Sequence, residues 1–233
     1  MKIKVLIPNS SEEFTASQIE ERKKAALPGT EVDVACLPHG PVSIESAYDE
    51  AMAAPYIVEE VRKAEAEGYE AVSLDCAMDT VVRAAREVVR IPVTSAGEAS
   101  YLLAMSLCRK FSVVTVLKST ADEIWENISK YGFESRVASV RCANVPVLEL
   151  NDEAKAFRAI LNESKTAIKE DGAEAIALGC TGMSPLARRL QKELGVPVVD
   201  PAIASLKLAE IFVSMGISTS RIAYKAQKEK KLL

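Results

Sequence analysis

The chain has 233 residues, 48% of them hydrophobic, with 29 Lys and Arg against 33 Asp and Glu and a formal net charge of −4. Interspersed, nearly balanced charges argue against a phosphate-backbone binder, which needs clustered cations, while the apolar fraction and length support one large or two small packed domains. No apolar run approaches the ~20 residues of a membrane-spanning helix, and Val5-Leu6-Ile7 is too short for a signal peptide, so a soluble cytoplasmic protein is expected.

In chain order the patterning predicts strands at 2–7 and 31–37, a helix at 51–67, a strand at 71–74, a helix at 79–89, and a strand at 91–94. A helix at 100–109, a strand at 111–117, helices at 120–131 and 152–169, a strand at 173–178, a helix at 185–194 and a strand at 196–199 follow. Such alternation is the signature of βαβ units, and strands that are continuous apolar runs fit parallel sheets covered on both faces. The charged stretch 225–231 reads as a solvated tail.

The cysteines are Cys36, Cys76, Cys108, Cys142 and Cys180, an odd number without Cys-x-x-Cys spacing, which argues against a disulfide scaffold and a zinc ribbon. The sole histidine, His39, lies in Pro38-His39-Gly40-Pro41, a turn sequence. Neither a G-x-G-x-x-G run nor a phosphate-binding G-x-x-x-x-G-K-[ST] loop is present. No metal and no nucleotide cofactor are therefore expected; a lysine-bound pyridoxal phosphate, for which Lys118 lies at a strand end, stays open on residue count and would be redundant beside two opposed cysteines.

An internal repeat organises the rest. Glu67-Gly68-Tyr69-Glu70-Ala71-Val72-Ser73-Leu74-Asp75-Cys76 aligns with Asp171-Gly172-Ala173-Glu174-Ala175-Ile176-Ala177-Leu178-Gly179-Cys180, 104 positions on. Ile91-Pro92-Val93 aligns with Val196-Pro197-Val198 at an offset of 105, as do Ala99-Ser100 and Ala204-Ser205, and the segment 5–11 aligns with 114–120 at an offset of 109. The expected architecture is α/β: two similar parallel-sheet domains related by a pseudo-twofold axis, with the active site in the cleft between them. The expected boundaries are 1–97 plus 206–233 for the first domain, carrying Cys76, and 98–205 for the second, carrying Cys180.

In each half the cysteine ends a predicted strand, where open α/β sheets place their ligand sites. A helix N-terminus beyond such a turn favours the thiolate. Two opposed thiols, one charged and one neutral, can take a proton from one face of an acidic C–H centre and return one to the other face. Cys36, Cys108 and Cys142 read instead as buried structural thiols.

Other motifs accompany these turns: Ile7-Pro8-Asn9-Ser10-Ser11; Gly40-Pro41-Val42-Ser43-Ile44-Glu45-Ser46 followed by Tyr48-Asp49-Glu50-Ala51; Phe111-Ser112-Val113-Val114-Thr115; and Ala138-Ser139-Val140-Arg141 leading to Val145-Pro146-Val147-Leu148. With Ala175-Ile176-Ala177-Leu178-Gly179-Cys180-Thr181-Gly182-Met183, they resemble the Asp/Glu/hydantoin racemase superfamily over nearly the whole chain, within it the hydantoin and allantoin racemase-like branch. The resemblance implies that Cys76 and Cys180 are the acid/base pair and that no cofactor is needed. Cys76-Ala77-Met78-Asp79-Thr80-Val81 keeps the acid of that branch's Phe-x-Asp-Pro-Gly run but not its aromatic, proline or glycine, and Ile7 replaces the first asparagine of the opening loop.

The expected reaction is cofactor-independent racemisation or epimerisation beside a carbonyl, on a small hydantoin-like, ureido or amino-acid-derived substrate. Asn9, Ser10, Ser43, Thr115, Thr181 and Gly182 are candidates for holding its carbonyl or carboxylate groups, and Asp79, Gly97 and Glu98 are further pocket candidates, with Lys118 beside them. The alternatives are cis–trans isomerisation of a dicarboxylate, decarboxylation of a malonate, and a non-catalytic small-molecule binding module. The partner is a small molecule, with neither nucleic acid nor membrane, and self-association into a homo-oligomer is anticipated.

Overall fold

The computed structural model describes residues 1–226, so part of the tail expected at 225–231 lies outside the described residues. Two four-stranded parallel sheets carry the chain. The first contains β1 (Lys2–Ile7), β2 (Glu31–Cys36), β3 (Ala71–Leu74) and β4 (Val93–Ser95), in the order β2-β1-β3-β4. The second contains β5 (Phe111–Thr115), β6 (Val137–Cys142), β7 (Ala175–Leu178) and β8 (Val198–Val199), in the order β6-β5-β7-β8. All four residues of β3 and all four of β7 are buried, which is why both read as unbroken apolar runs.

The repeat survives as matched hydrogen bonds. Glu70 N–H donates to the Lys2 carbonyl at 2.8 Å and Glu174 N–H to that of Lys110 at 2.9 Å; Val72 N–H meets Pro92 at 2.9 Å and Ile176 N–H meets Pro197 at 2.9 Å. Register corrects one expectation. Ile3 lies opposite Ala71 as Phe111 lies opposite Ala175, so the first strands correspond at an offset of 108, not 109. The side-chain period of two makes a one-residue slip exchange the faces, and the strand pairing admits only 108.

Helices α1 (Glu12–Ala25), α2 (Ala47–Ala66) and α3 (Val82–Val88) belong to the first half, and α5 (Lys118–Tyr131), α6 (Glu153–Glu170) and α7 (Ala187–Leu194) to the second. Helix α4 (Ala96–Leu107) leaves β4 and packs on β7 and β8 of the other sheet, while α8 (Pro201–Met215) leaves β8 and packs on β1, β3 and β4. These crossed helices also pack on each other. They join the halves through one core containing Val72, Leu74, Tyr101, Ala104, Phe111 and Ala177, with the Tyr101 and Phe111 rings stacked at 5.9 Å. A hydrogen bond of 2.7 Å from Ser73 Oγ of β3 to Ser205 Oγ of α8 satisfies two buried hydroxyls inside this apolar layer.

The helix expected from residue 79 begins only at Val82, because Asp79 and Val81 have φ of 54° and 59°, outside right-handed helical space. A β-branched residue in this region is strained, so the turn after Cys76 is held by its surroundings. Helices α1 and α8 and strand β6 were not among the expected elements. No helix among the described residues is long and apolar enough to cross a membrane.

Candidate active site

Both thiols stand just beyond the carboxyl ends of central strands, Cys76 two residues past β3 after Asp75 and Cys180 two residues past β7 after Gly179. Their turns are built alike. Asp75 N–H donates to the Leu6 carbonyl at 2.9 Å and Gly179 N–H to that of Val114 at 2.8 Å; Asp79 N–H closes on the Cys76 carbonyl at 3.1 Å and Met183 N–H on that of Cys180 at 3.1 Å. In each turn the sulfur receives a backbone N–H two residues ahead, from Met78 for Cys76 and from Gly182 for Cys180. The two thiols are near enough for the charge of Cys180 to act on Cys76.

Both cysteines are half-buried as residues, and desolvation of their thiols outweighs the N–H groups. Burial pushes each thiol up to about 12, with the charges of Glu50 and Cys180 adding to the rise at Cys76, and those of Asp75 and Glu45 at Cys180. The expectation that helix N-termini would favour the thiolates is thereby corrected. Cys76 precedes no helix until Val82, and Cys180 leads only into the short 3₁₀ turn Thr181–Leu186.

Arg22 couples the two turns. It is fully buried, and its Nε and Nη2 reach the Asp75 carboxylate at 2.9 and 3.3 Å while Nη2 also donates to the Thr181 carbonyl at 3.1 Å. Thr181 Oγ1 donates back to the Asp75 carbonyl at 3.1 Å. The residue before one thiol and the residue after the other thus share a single guanidinium.

The loop after β1 supplies polar groups. Asn9 is buried, with its Oδ1 accepting from Ser11 N–H at 3.0 Å and thereby turning the chain into α1, and no acceptor among the described residues meets its Nδ2. Ser10 Oγ donates to the Gly40 carbonyl at 2.8 Å, which anchors the loop carrying the half-buried Ser43, whose hydroxyl has no partner among the described residues. Glu45 in that loop bridges to the second half, its Oε1 accepting from Val147 N–H at 2.7 Å and its carbonyl from Ser119 Oγ at 2.6 Å.

Other candidates serve the scaffold. The Asp79 carboxylate is buried and accepts from Gly97 N–H at 2.7 Å, Glu98 N–H at 2.8 Å and Tyr131 O–H at 2.9 Å, so it caps α4 and offers no free oxygen to a substrate. Desolvation raises this carboxyl to about 7 against the pull of those donors. Gly97 is required because a Cβ there would run into the Ala77 carbonyl and the Asp79 carboxylate. The Glu98 side chain pairs with Arg86, and Thr115 Oγ1 donates to the Gly179 carbonyl at 2.9 Å, bracing the Cys180 turn from beneath. Gly182 gives its N–H to Cys180 and packs against Leu150 and Phe14. Lys118 is exposed and paired with Asp122, and His39 lies in an exposed turn, edge-on to Tyr56. Cys36, Cys108 and Cys142 are half-buried, not buried as expected, since each lies at the end of a strand or helix where one side meets solvent. Among the described residues, no group of three His, Cys, Asp or Glu side chains is placed to hold a metal.

Arg22, Asp75, Thr80, Glu50 and Glu45 were not among the expected site residues. Arg22 and Asp75 are 53 positions apart and Thr80 and Glu50 are 30 apart, so no local motif signals either pairing.

Known proteins resemble this chain in sequence and in fold. The family model described as Asp/Glu/hydantoin racemase matches residues 3–209. A hydantoin racemase of Pseudomonas sp. (strain NS671) is 40% identical over 232 residues, covering 99% of this chain and 93% of the relative. An allantoin racemase structure from Klebsiella pneumoniae superposes with a TM-score of 0.96 at 34% identity, covering 100% of this chain and 96% of that one, and one from Pseudomonas fluorescens superposes with 0.95 at 34% identity, covering 100% of both chains. The chain therefore belongs to the Asp/Glu/hydantoin racemase family, and with it to the isomerases.

Proposed function

We propose that the protein racemises a small, uncharged cyclic or open ureide of the hydantoin and allantoin type, without a cofactor, using Cys76 and Cys180 as its acid/base pair. The observation that carries this reading is the matched pair of thiol turns at the ends of β3 and β7, each sulfur holding the N–H two residues ahead. One cysteine, as thiolate, removes the proton from the carbon beside the carbonyl, and the other, as thiol, delivers a proton to the opposite face. A thiol raised to about 12 is rarely ionised at neutral pH, but the thiolate it forms is a stronger base toward a weakly acidic C–H bond. Asn9 Nδ2 and the Ser43 hydroxyl, both without partners among the described residues, suit the developing enolate oxygen and the ring amides, while Ser10, Thr181 and Gly182 hold the loops that carry them and Cys180.

Charge favours a neutral substrate over a dicarboxylate. Glu50 acts on Cys76, and Asp75 and Glu45 act on Cys180; Arg22, the cation acting on Cys180, is already bound to Asp75, Gln18 and Thr181. A dicarboxylate isomerase would need cations free to meet its substrate's two charges. A cytoplasmic, self-associating enzyme is part of the same reading.

The test is racemisation of enantiopure allantoin and 5-benzylhydantoin, followed by polarimetry and by C–H exchange in D₂O. The wild-type protein racemises at least one of them, while Cys76→Ser and Cys180→Ser each abolish racemisation and retain at most one-sided exchange. Racemisation by both single variants at the wild-type rate would sink the two-thiol mechanism.

A further inference from the structure

The two thiol turns are alike in backbone but not in what stands behind the sulfur. Thr80 is buried, and its Oγ1 lies 3.5 Å from Cys76 Sγ and 2.8 Å from Glu50 Oε1 of α2. A hydroxyl has one proton to donate. If it goes to the Glu50 carboxylate, a lone pair of Oγ1 faces the Cys76 S–H, and a continuous donor chain runs from thiol through hydroxyl to carboxylate. Glu50 is half-buried, so the chain leads from the site toward solvent. The second half lacks it. Ser184, the counterpart of Thr80 at the 104-residue offset, donates to Asp200 Oδ1 at 2.7 Å, and among the described residues no hydrogen bond joins it to Cys180.

A two-base racemase has a need that such a chain meets. After one turnover in a given direction, the thiol that gave its proton is a thiolate and the other carries the proton taken from the substrate. That form accepts only the opposite enantiomer until the protons are exchanged. We propose that Thr80 and Glu50 are the proton exit of Cys76, through which the spent form of the enzyme is reset.

In the reset the Cys76 S–H bond breaks and its proton passes to Thr80 Oγ1, while the original Thr80 hydroxyl proton passes to Glu50 Oε1. Cys76 is left as the thiolate, Glu50 as the carboxylic acid, and Thr80 unchanged. Glu50 releases its proton to water, and the half-buried Cys180 is protonated from water, so the exchange balances. Desolvation raises the Glu50 carboxyl above the ordinary value, with Glu123, Glu126 and Lys130 of α5 facing it, which makes it a better proton acceptor than an exposed glutamate. Thr80 touches the reacting sulfur, whereas Glu50 acts through Thr80 and is a positioning residue for the proton.

The inference rests on the two-thiol reading, and its test keeps the two apart. Initial rates of racemisation of enantiopure allantoin and 5-benzylhydantoin are measured from low to saturating substrate for wild type, Glu50→Gln, Thr80→Val, Thr80→Ser and Cys76→Ser. Because reset limits the rate only when substrate is abundant, Glu50→Gln lowers the saturating rate at least fivefold more than kcat/KM, and Thr80→Val does the same. Thr80→Ser restores the hydroxyl and the wild-type ratio, and 100–200 mM imidazole buffer, an external proton carrier, recovers the saturating rate of Glu50→Gln. Equal losses at low and high substrate, or no response to buffer, with Cys76→Ser inactive, would overturn the relay and leave the two-thiol reading intact. A Cys76→Ser protein that racemises normally, or a wild-type protein inert toward both compounds, would overturn both.

Discussion

Replacing Arg22 by methionine tests how the two thiol turns are held. Helix α1 buries only Phe14, Thr15, Gln18 and Arg22, so one apolar side chain and a set of polar ones dock it. Arg22 makes four hydrogen bonds of 2.9 to 3.3 Å, to Asp75, Gln18 and Thr181, with its side chain fully excluded from water. Removing one partner of a buried ion pair leaves an uncompensated charge and costs about 3–5 kcal/mol. At roughly 2–4 °C per kcal/mol for a chain of this length, thermal unfolding of Arg22→Met is expected about 6–20 °C below wild type. Replacing both partners by apolar groups removes the unpaired charge, so Arg22→Met/Asp75→Leu regains most of the lost stability. It does not regain activity, because Thr181 loses its donor and the turns of Cys76 and Cys180 lose their common anchor. Circular-dichroism melting with parallel racemisation assays decides the matter. A single variant melting within 2 °C of wild type, or a double variant no more stable than the single, would show that Arg22 is not the tie described.

Three further outcomes follow from the same geometry. Asp79, raised to about 7 in the fold against about 3.9 unfolded, binds a proton in the native state over a range where the unfolded chain has lost it; stability therefore falls as pH rises from 4 to 7, by about 2–3 kcal/mol between pH 5 and 8. Urea titrations of wild type and Asp79→Asn at those two pH values check this, since the variant's deficit shrinks at pH 8, and an unchanged or growing deficit contradicts the assignment. Iodoacetamide labelling read by mass spectrometry is expected to be slow at Cys76 and Cys180 at pH 7.5 and to keep rising past pH 10, because both thiols are pushed up to about 12; a half-maximal rate near pH 8 refutes the burial argument. Gly179→Ala places a Cβ 2.5 Å from Thr115 Cβ, an overpacking expected to cost about 1–3 kcal/mol in urea unfolding and to displace the Cys180 turn, and a stable variant with full activity speaks against that contact.

Burial pattern decides which parts of the fold were legible. Strand β3 matches its expected span because it is buried along its whole length and nearly all apolar, and β1 matches because its apolar core Val5-Leu6-Ile7 is buried while Lys2 and Lys4 alternate with Ile3 at its half-buried start. Strand β6 escaped because VASVRC is half-buried at the sheet edge, with Ser139 and Arg141 bonded to Asp171. Helix α1 escaped because three of its four buried residues, Thr15, Gln18 and Arg22, are polar, and a search for apolar periodicity ignores them. Helix α8 escaped for the opposite reason. Lying between the first sheet and α4, it buries residues such as Ala204, Leu206 and Ala209 on several sides and shows no clear polar stripe.

The same physics separates what was readable in the site from what was not. Cys76 and Cys180 stood out because a repeat marks matched positions regardless of burial, and the paired turns around them follow from that repeat. The groups that differ between the halves are invisible to it. Thr80 and Ser184 occupy equivalent positions with similar hydroxyls, yet one reaches a thiol and the half-buried Glu50 while the other reaches Asp200. That difference depends on where α2 places Glu50 relative to a turn strained at Asp79 and Val81, a relation between segments 30 positions apart. The proposed two-thiol catalysis needs like chemistry on its two faces but need not exchange protons with water equally through both, and the asymmetry falls on the groups behind the sulfurs, where that proposal requires no symmetry.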